Sequence, residues 1–227
     1  MISIRDITVS YGDTAVLKNL SLDLEEGKVH GIVGLNGSGK TTLLNVLYGL
    51  KKAQTGDILW NGMPLSKGKA AFVEVEDYFY PGITGREYLE LFENAGFRLS
   101  LWENLLQLPL DRLIDTYSTG MKRKLSILAA LKRNKELQIL DEPFNGLDIE
   151  SCEILRMILL KLKEAGKTVL LTSHILDVLP GISDYIHHLS GGIVKKTYPV
   201  TEFDAMKTEI RSDIGSRTSG LIDAAFA

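Results

Sequence analysis

The run Gly34-Leu35-Asn36-Gly37-Ser38-Gly39-Lys40-Thr41-Thr42 constrains this chain more than any other stretch. It has the glycine spacing, the lysine and the hydroxyl of a phosphate-binding P-loop. Such a loop turns backbone N–H groups onto phosphate oxygens, lets Lys40 reach the β- and γ-phosphates, and places the Thr41 hydroxyl to ligate Mg²⁺. Val29–Val33 reads as a short buried strand ahead of it, and Thr41–Leu47 as a helix whose positive N-terminal end faces the anion. Strand, loop and helix together point to ATP or GTP. The bland alternative is a glycine-rich turn with a solvated lysine.

The 227 residues suffice for one large domain or two small ones, and 44% apolar content supports a substantial core. No apolar run approaches the roughly 20 residues that span a bilayer, and no basic segment leads into an apolar signal core. The expectation is a cytoplasmic protein that meets a membrane only through a partner. A single cysteine, Cys152, excludes an internal disulfide or a multi-cysteine metal site, and its apolar-periodic setting makes it a buried small hydrophobe. A net charge of −3 gives no basic footprint, so no nucleic-acid partner is expected.

Residues 2–26 read as strands with turns, and Thr55–Gly62 continues them into an Asn61-Gly62 hairpin turn. From Thr84 to about Arg133 the apolar spacing becomes helical, a helical insertion. Glu136–Leu140 then predicts a strand, Ile149–Ala165 a helix ended by Gly166, and Thr168–Thr172 another strand. This alternation implies an α/β fold: a P-loop core with a mainly parallel sheet, an antiparallel β subdomain and a helical insertion. Leu189-Ser190-Gly191-Gly192 reads as a hairpin turn whose glycines supply positive φ. After Pro199 the sequence is mixed, and a helix is the best guess.

Leu137–Leu140 delivers two carboxylates, Asp141 and Glu142, at its end. Asp141 is placed to hold the Mg²⁺ shell, and Glu142, pointing elsewhere, to orient and deprotonate a water attacking the γ-phosphate. Two exposed carboxylates opening a loop are the alternative. Tyr117-Ser118-Thr119-Gly120-Met121 precedes a helix from Lys122 to Leu131. Ser118 at its N-cap and Gly120 leave a second phosphate-binding surface at a helix N-terminus, although an ordinary cap explains the same letters.

The order of these motifs resembles the ATP-binding subunit of ABC transporters, over residues 1 to about 198, which leaves 199–227 as a C-terminal extension of unknown role. Tyr117–Met121 resembles the family's signature motif, Leu-Ser-Gly-Gly-Gln, keeping the serine and second glycine. With Lys-Arg-Lys-Leu after it, it is similar to the exporter-type branch whose membrane domains are separate chains. Pro143–Asp148 resembles the loop that places Asp148 at the interface between subunits, and Thr172-Ser173-His174 the switch histidine motif, in which His174 contacts the γ-phosphate. Tyr11 resembles the aromatic that stacks on adenine; plain sheet packing is its alternative. ATP over GTP follows from the resemblance alone.

The family's glutamine loop departs here. The corresponding stretch, Phe72–Pro81, has no glutamine, and Glu74, Val75 or Glu76 takes that place. Glu76 is favoured because a strand over Ala70–Val75 would end just before it; its carboxylate can coordinate Mg²⁺ but lacks an amide donor. A solvated acidic loop is the alternative. Tyr78–Ile83 lies where such subunits receive a helix of the membrane domain, though core packing suits its aromatics equally.

The resemblance implies ATP and Mg²⁺ as ligands and a head-to-tail dimer with a second ATP-binding subunit. It also implies transmembrane permease subunits that hold the chain on the inner face of the cell membrane, with hydrolysis powering transport. An ABC-type ATPase acting on nucleic acid or ribosomes is the rival within the family. A P-loop kinase or regulatory GTPase is the rival outside it.

Overall fold

A computed structural model describes the backbone over residues 1–226 and the side chains over 1–212 and 224–226. Two sheets organise it. The first is antiparallel: β1 (Ile2–Tyr11), β2 (Thr14–Leu24), β4 (Thr55–Trp60) and β5 (Met63–Pro64), in the order β2-β1-β4-β5. Asn61 and Gly62 both take positive φ, 51° and 79°, between Trp60 and its partner Met63, the geometry of a two-residue primed hairpin turn.

The second sheet has the order β10-β9-β3-β8-β7-β6. Strands β3 (Val29–Val33), β6 (Ala70–Val73), β7 (Leu137–Leu140), β8 (Thr168–Ser173) and β9 (Tyr185–Ser190) run parallel, and β10 (Ile193–Pro199) closes the edge antiparallel to β9. The β9–β10 turn is made by Gly191 and Gly192, φ 61° and 85°, as the sequence predicts.

Alternation along these strands sorts the core into two faces. Ile32, Ile139 and Leu170 pack with α1 (Lys40–Tyr48) and the inner side of the antiparallel sheet. Val33, Leu140, Val169 and Leu171 face the other way, onto α5 (Ile149–Glu164) and onto Met206 and Ile210 of α6 (Phe203–Phe226). A third cluster binds the helical insertion together: α2 (Gly85–Glu90), α3 (Leu99–Leu106) and α4 (Thr119–Lys132) share Leu89, Leu106, Leu125 and Leu128. Thr84 and Glu87 form a capping box at the start of α2, worth about 1 kcal/mol. Gly166, φ 75°, ends α5, its N–H donating to the Lys163 carbonyl at 2.9 Å.

Two expectations need correction. Strand β6 stops at Val73 rather than Val75, because its partner β7 ends at Leu140 and the last ladder bond runs from Asp141 N–H to the Val73 carbonyl. Cys152 is half-buried rather than buried, on the side of α5 where its thiol reaches only the Leu147 carbonyl. The guessed helix after Pro199 is real and long, α6.

Candidate nucleotide site

The C-terminal ends of β3, β8, β7 and β6 lie side by side, and each delivers one part of the site: the P-loop, His174, Asp141 with Glu142, and the 74–77 loop. Ligands in open parallel sheets bind at this edge. A cavity of about 500 Å³ opens there, lined by Val16 of β2, residues 36–42, Val75, Glu142, Asn145 and His174.

Glycine is required at two P-loop positions. A Cβ at Gly34 would stand 2.3 Å from the Leu189 carbonyl oxygen of β9. Gly39 caps α1 with φ 108°, a conformation side chains rarely adopt. Lys40 is buried, its ammonium donating to the Gly34 carbonyl at 2.8 Å and to that of Leu35 at 3.4 Å, so the positive charge is held inside the loop. The Ser38 hydroxyl is buried with no hydrogen-bond partner.

Glu142 sits in the left-handed region, φ 48°, a strained position for a residue with a side chain. Its N–H donates to the Thr172 hydroxyl at 2.8 Å, and that hydroxyl donates to Asp141 Oδ1 at 2.5 Å. Thr172 thus anchors the Asp141 carboxylate and the Glu142 backbone together. Glu142 Oε2 accepts from His174 Nδ1–H at 2.9 Å and from the His174 backbone N–H at 3.3 Å. Only Oε2 takes part in these bonds, so Oε1 is open to a water.

Asp141 is fully buried, yet its Oδ2 has no partner. An orphaned carboxylate oxygen beside a cavity of about 350 Å³ shared with Thr41, Asn45, Glu74, Val75 and Glu76 suits a hard divalent cation. Among the described residues no group of three His, Cys, Asp or Glu could hold a metal alone. Mg²⁺ typically needs only one or two protein oxygens when phosphates supply the rest. Of the three candidates for the glutamine place, Val75 alone lines the phosphate cavity as well.

The remaining predicted residues stand apart. Ser118 caps α4, its hydroxyl accepting from Met121 N–H at 3.2 Å, and Gly120 packs so tightly on the loop after β7 that a Cβ would lie 2.8 Å from the Gly146 carbonyl oxygen. Asp148 caps α5 and is exposed; its bonds from Ser151 hold its carboxyl below the usual range. Tyr11 is exposed at the end of β1 with the Lys51 ammonium 4.3 Å above its ring. None of these four lines the phosphate cavity of its own chain. Tyr78 and Tyr80 are 79% and 57% exposed, whereas Phe79 between them turns inward onto Tyr88, so the aromatic segment serves both surface and core. Sequence reasoning missed the role of Thr172, the cavity residues Val16 and Asn145, and Arg123, which is buried against the 74–77 loop. Arg123 carried no signal in the sequence, because an arginine within a Lys-Arg-Lys run early in a helix reads as solvated until its burial is seen.

Fold and site together define a P-loop nucleotide-binding cassette. The chain belongs to the ABC transporter family, which it matches over residues 17–145. Lantibiotic transport ATP-binding protein SrtF of Streptococcus pyogenes is 30% identical, the alignment covering 89% of this chain and 93% of the relative. Bacitracin transport ATP-binding protein BcrA of Enterococcus faecalis is 30% identical, with 94% and 77% covered. A dimeric bacterial ABC transporter cassette superposes with a TM-score of 0.79 at 25% identity, over 88% of this chain and 99% of that one. The chain is the ATP-binding subunit of an ABC transporter, an ATPase that drives transport through separate membrane subunits. Among the described residues no helix is long and apolar enough to cross a membrane.

Proposed function

We propose that two chains pair head to tail, so that Ser118 and Gly120 of one close over ATP held by the P-loop of the other. The observation that carries this is the separation just described: the phosphate cavity and the α4 N-terminus belong to one chain but do not meet within it. Residues 34–42 and Lys40 would bind the phosphates, Thr41 and Asp141 would hold Mg²⁺ with Glu76 beside them, Tyr11 would stack on adenine, and Asp148 would face the partner. Mg²⁺ supplies charge neutralisation at the β- and γ-phosphates.

Glu142 acts as the base. Its free Oε1 accepts the proton of an attacking water while Oε2 stays bonded to His174. His174 fixes the Glu142 carboxylate and lines the cavity that would hold the γ-phosphate. Closure supplies contacts that exist only with ATP bound, which is what shifts a two-state equilibrium. The named relatives' cargoes, a lantibiotic and bacitracin, support an antibiotic of that kind as cargo, with the chain held on the inner face of the membrane by its permease.

The test is pairing. Glu142→Gln should bind ATP yet hydrolyse it slowly and form an ATP-dependent dimer by size-exclusion chromatography. Adding Ser118→Arg should abolish the dimer while ATP still binds the single chain. A dimer that survives Ser118→Arg would overturn the composite site.

A further inference from the structure

Arg123 lies on α4, just over one turn beyond Ser118, and is 3% exposed. Its guanidinium forks onto two consecutive carbonyls of the 74–77 loop, Nη1 to Glu74 O at 2.6 Å and Nη2 to Val75 O at 2.7 Å. Nη1 also reaches Asp77 Oδ1 at 3.3 Å, and Asp77 is bonded in turn to Ser126, farther along the same helix. Breaking this arrangement would leave a buried charge without compensation, so helix and loop are held as one body. The loop has two outlets. Val75 lines the phosphate cavity without offering a polar side-chain atom, and Tyr78 and Tyr80 stand exposed just beyond.

We propose that Arg123 is a positioning residue that couples the two ATP sites of the dimer. ATP on the partner's P-loop engages Ser118 and Gly120 and moves α4. Arg123 makes the 74–77 loop follow, and Val75 is thereby pressed into this chain's own phosphate cavity. The signal travels through backbone carbonyls, because the loop side chain at the cavity has no hydrogen-bonding group. The inference rests on the head-to-tail reading above.

The experiment compares wild type, Arg123→Lys and Arg123→Met in the full chain for kcat, the Hill coefficient in ATP, ATP affinity of the dilute single chain, and melting temperature. Wild type should hydrolyse ATP with a Hill coefficient above 1. Arg123→Met should bring it to about 1 and lower kcat roughly tenfold, with single-chain affinity within about twofold. Arg123→Lys, able to hold one carbonyl but not two, should fall between. A Hill coefficient of 1 in wild type, or one unchanged in Arg123→Met, overturns the proposal. So does a loss of kcat that merely follows single-chain affinity. If Arg123→Met does not fold, Arg123→Lys, which keeps the charge but holds only one of the two carbonyls, decides: a lowered Hill coefficient supports the coupling and an unchanged one overturns it. Failure of wild type to pair with ATP would instead sink the head-to-tail reading.

Discussion

Glu142 and His174 are joined twice, through the ring Nδ1 at 2.9 Å and the backbone N–H at 3.3 Å, both to the same carboxylate oxygen. The double contact ties the ends of β7 and β8 across the cavity mouth and fixes the tautomer. An ionised Glu142 can only accept, so Nδ1 carries the proton. The two side chains therefore act as one unit, and removing either should disarm the other. His174→Ala and Glu142→Gln are each expected to lower kcat by about 10²-fold or more, with little change in ATP affinity. The double variant should be no slower than the worse single one. Fully multiplicative losses in steady-state kinetics would show that they act independently.

Thr172 carries a second prediction. Its hydroxyl is fully buried and serves both carboxylate-bearing residues, donating to Asp141 and accepting from the Glu142 N–H. Thr172→Val keeps the shape and strands both groups, which should destabilise the fold by about 1–3 kcal/mol in urea unfolding. It should also release Glu142 from its strained φ and lower kcat. Thr172→Ser keeps the hydroxyl and should stay near wild type. A loss in Thr172→Ser as large as in Thr172→Val would show that the hydroxyl is not what the site needs.

Most of this was legible in the letters because each motif carries its own local physics. Alternation and turn glycines announced both sheets, and Lys40, Thr41, Asp141, Glu142 and His174 converge because they follow the ends of neighbouring parallel strands. What the letters hid was three-dimensional. Gly120 is small because Gly146 presses on it, a contact between segments with no sequence signature. Thr172 looked like one more strand residue, yet its hydroxyl holds the Asp141 carboxylate and the Glu142 backbone N–H at once. The end of β6 was misplaced by two residues because Val75 continues the β-favouring letters, whereas the ladder stops where its partner β7 does.

That boundary sharpens the question of Glu76. Glu74, Val75 and Glu76 all share the cavity with Thr41 and Asp141, so two carboxylates bring negative charge near the phosphates. Glu76→Gln keeps an oxygen that can face Mg²⁺, adds an amide donor and removes one charge. Turnover at saturating Mg²⁺ should match or exceed wild type. A collapse of Mg²⁺-dependent phosphate release would show instead that the carboxylate itself is required.

Beneath the P-loop, β3 and β9 bury a chain of hydrogen bonds whose direction is fully determined. The Glu25 carbonyl can only accept, so His30 Nε2 carries a proton, at 2.9 Å. His30 Nδ1 must then accept from His187 Nε2–H at 3.1 Å, and His187 Nδ1 accepts from the Thr197 hydroxyl at 2.8 Å. Both rings are neutral, each with one proton-bearing and one accepting nitrogen. Burial lowers both: His187 falls to about 3, helped by the charge of a protonated His30, and His30 falls although Glu25 and Asp184 pull it upward and Lys28 pushes it down. The unfolded chain binds these protons near pH 6.5 and the folded one does not, so stability is full above that pH and drains away as pH falls toward about 3. For His187 alone the loss between pH 7.5 and pH 5 should be about 2 kcal/mol. His187→Gln keeps a donor toward His30 and an acceptor toward Thr197 but cannot titrate. Its unfolding free energy should therefore depend less on pH over that interval by about the same 2 kcal/mol. Parallel stability-against-pH curves for the variant and wild type would show that His187 is not the group that takes up the proton.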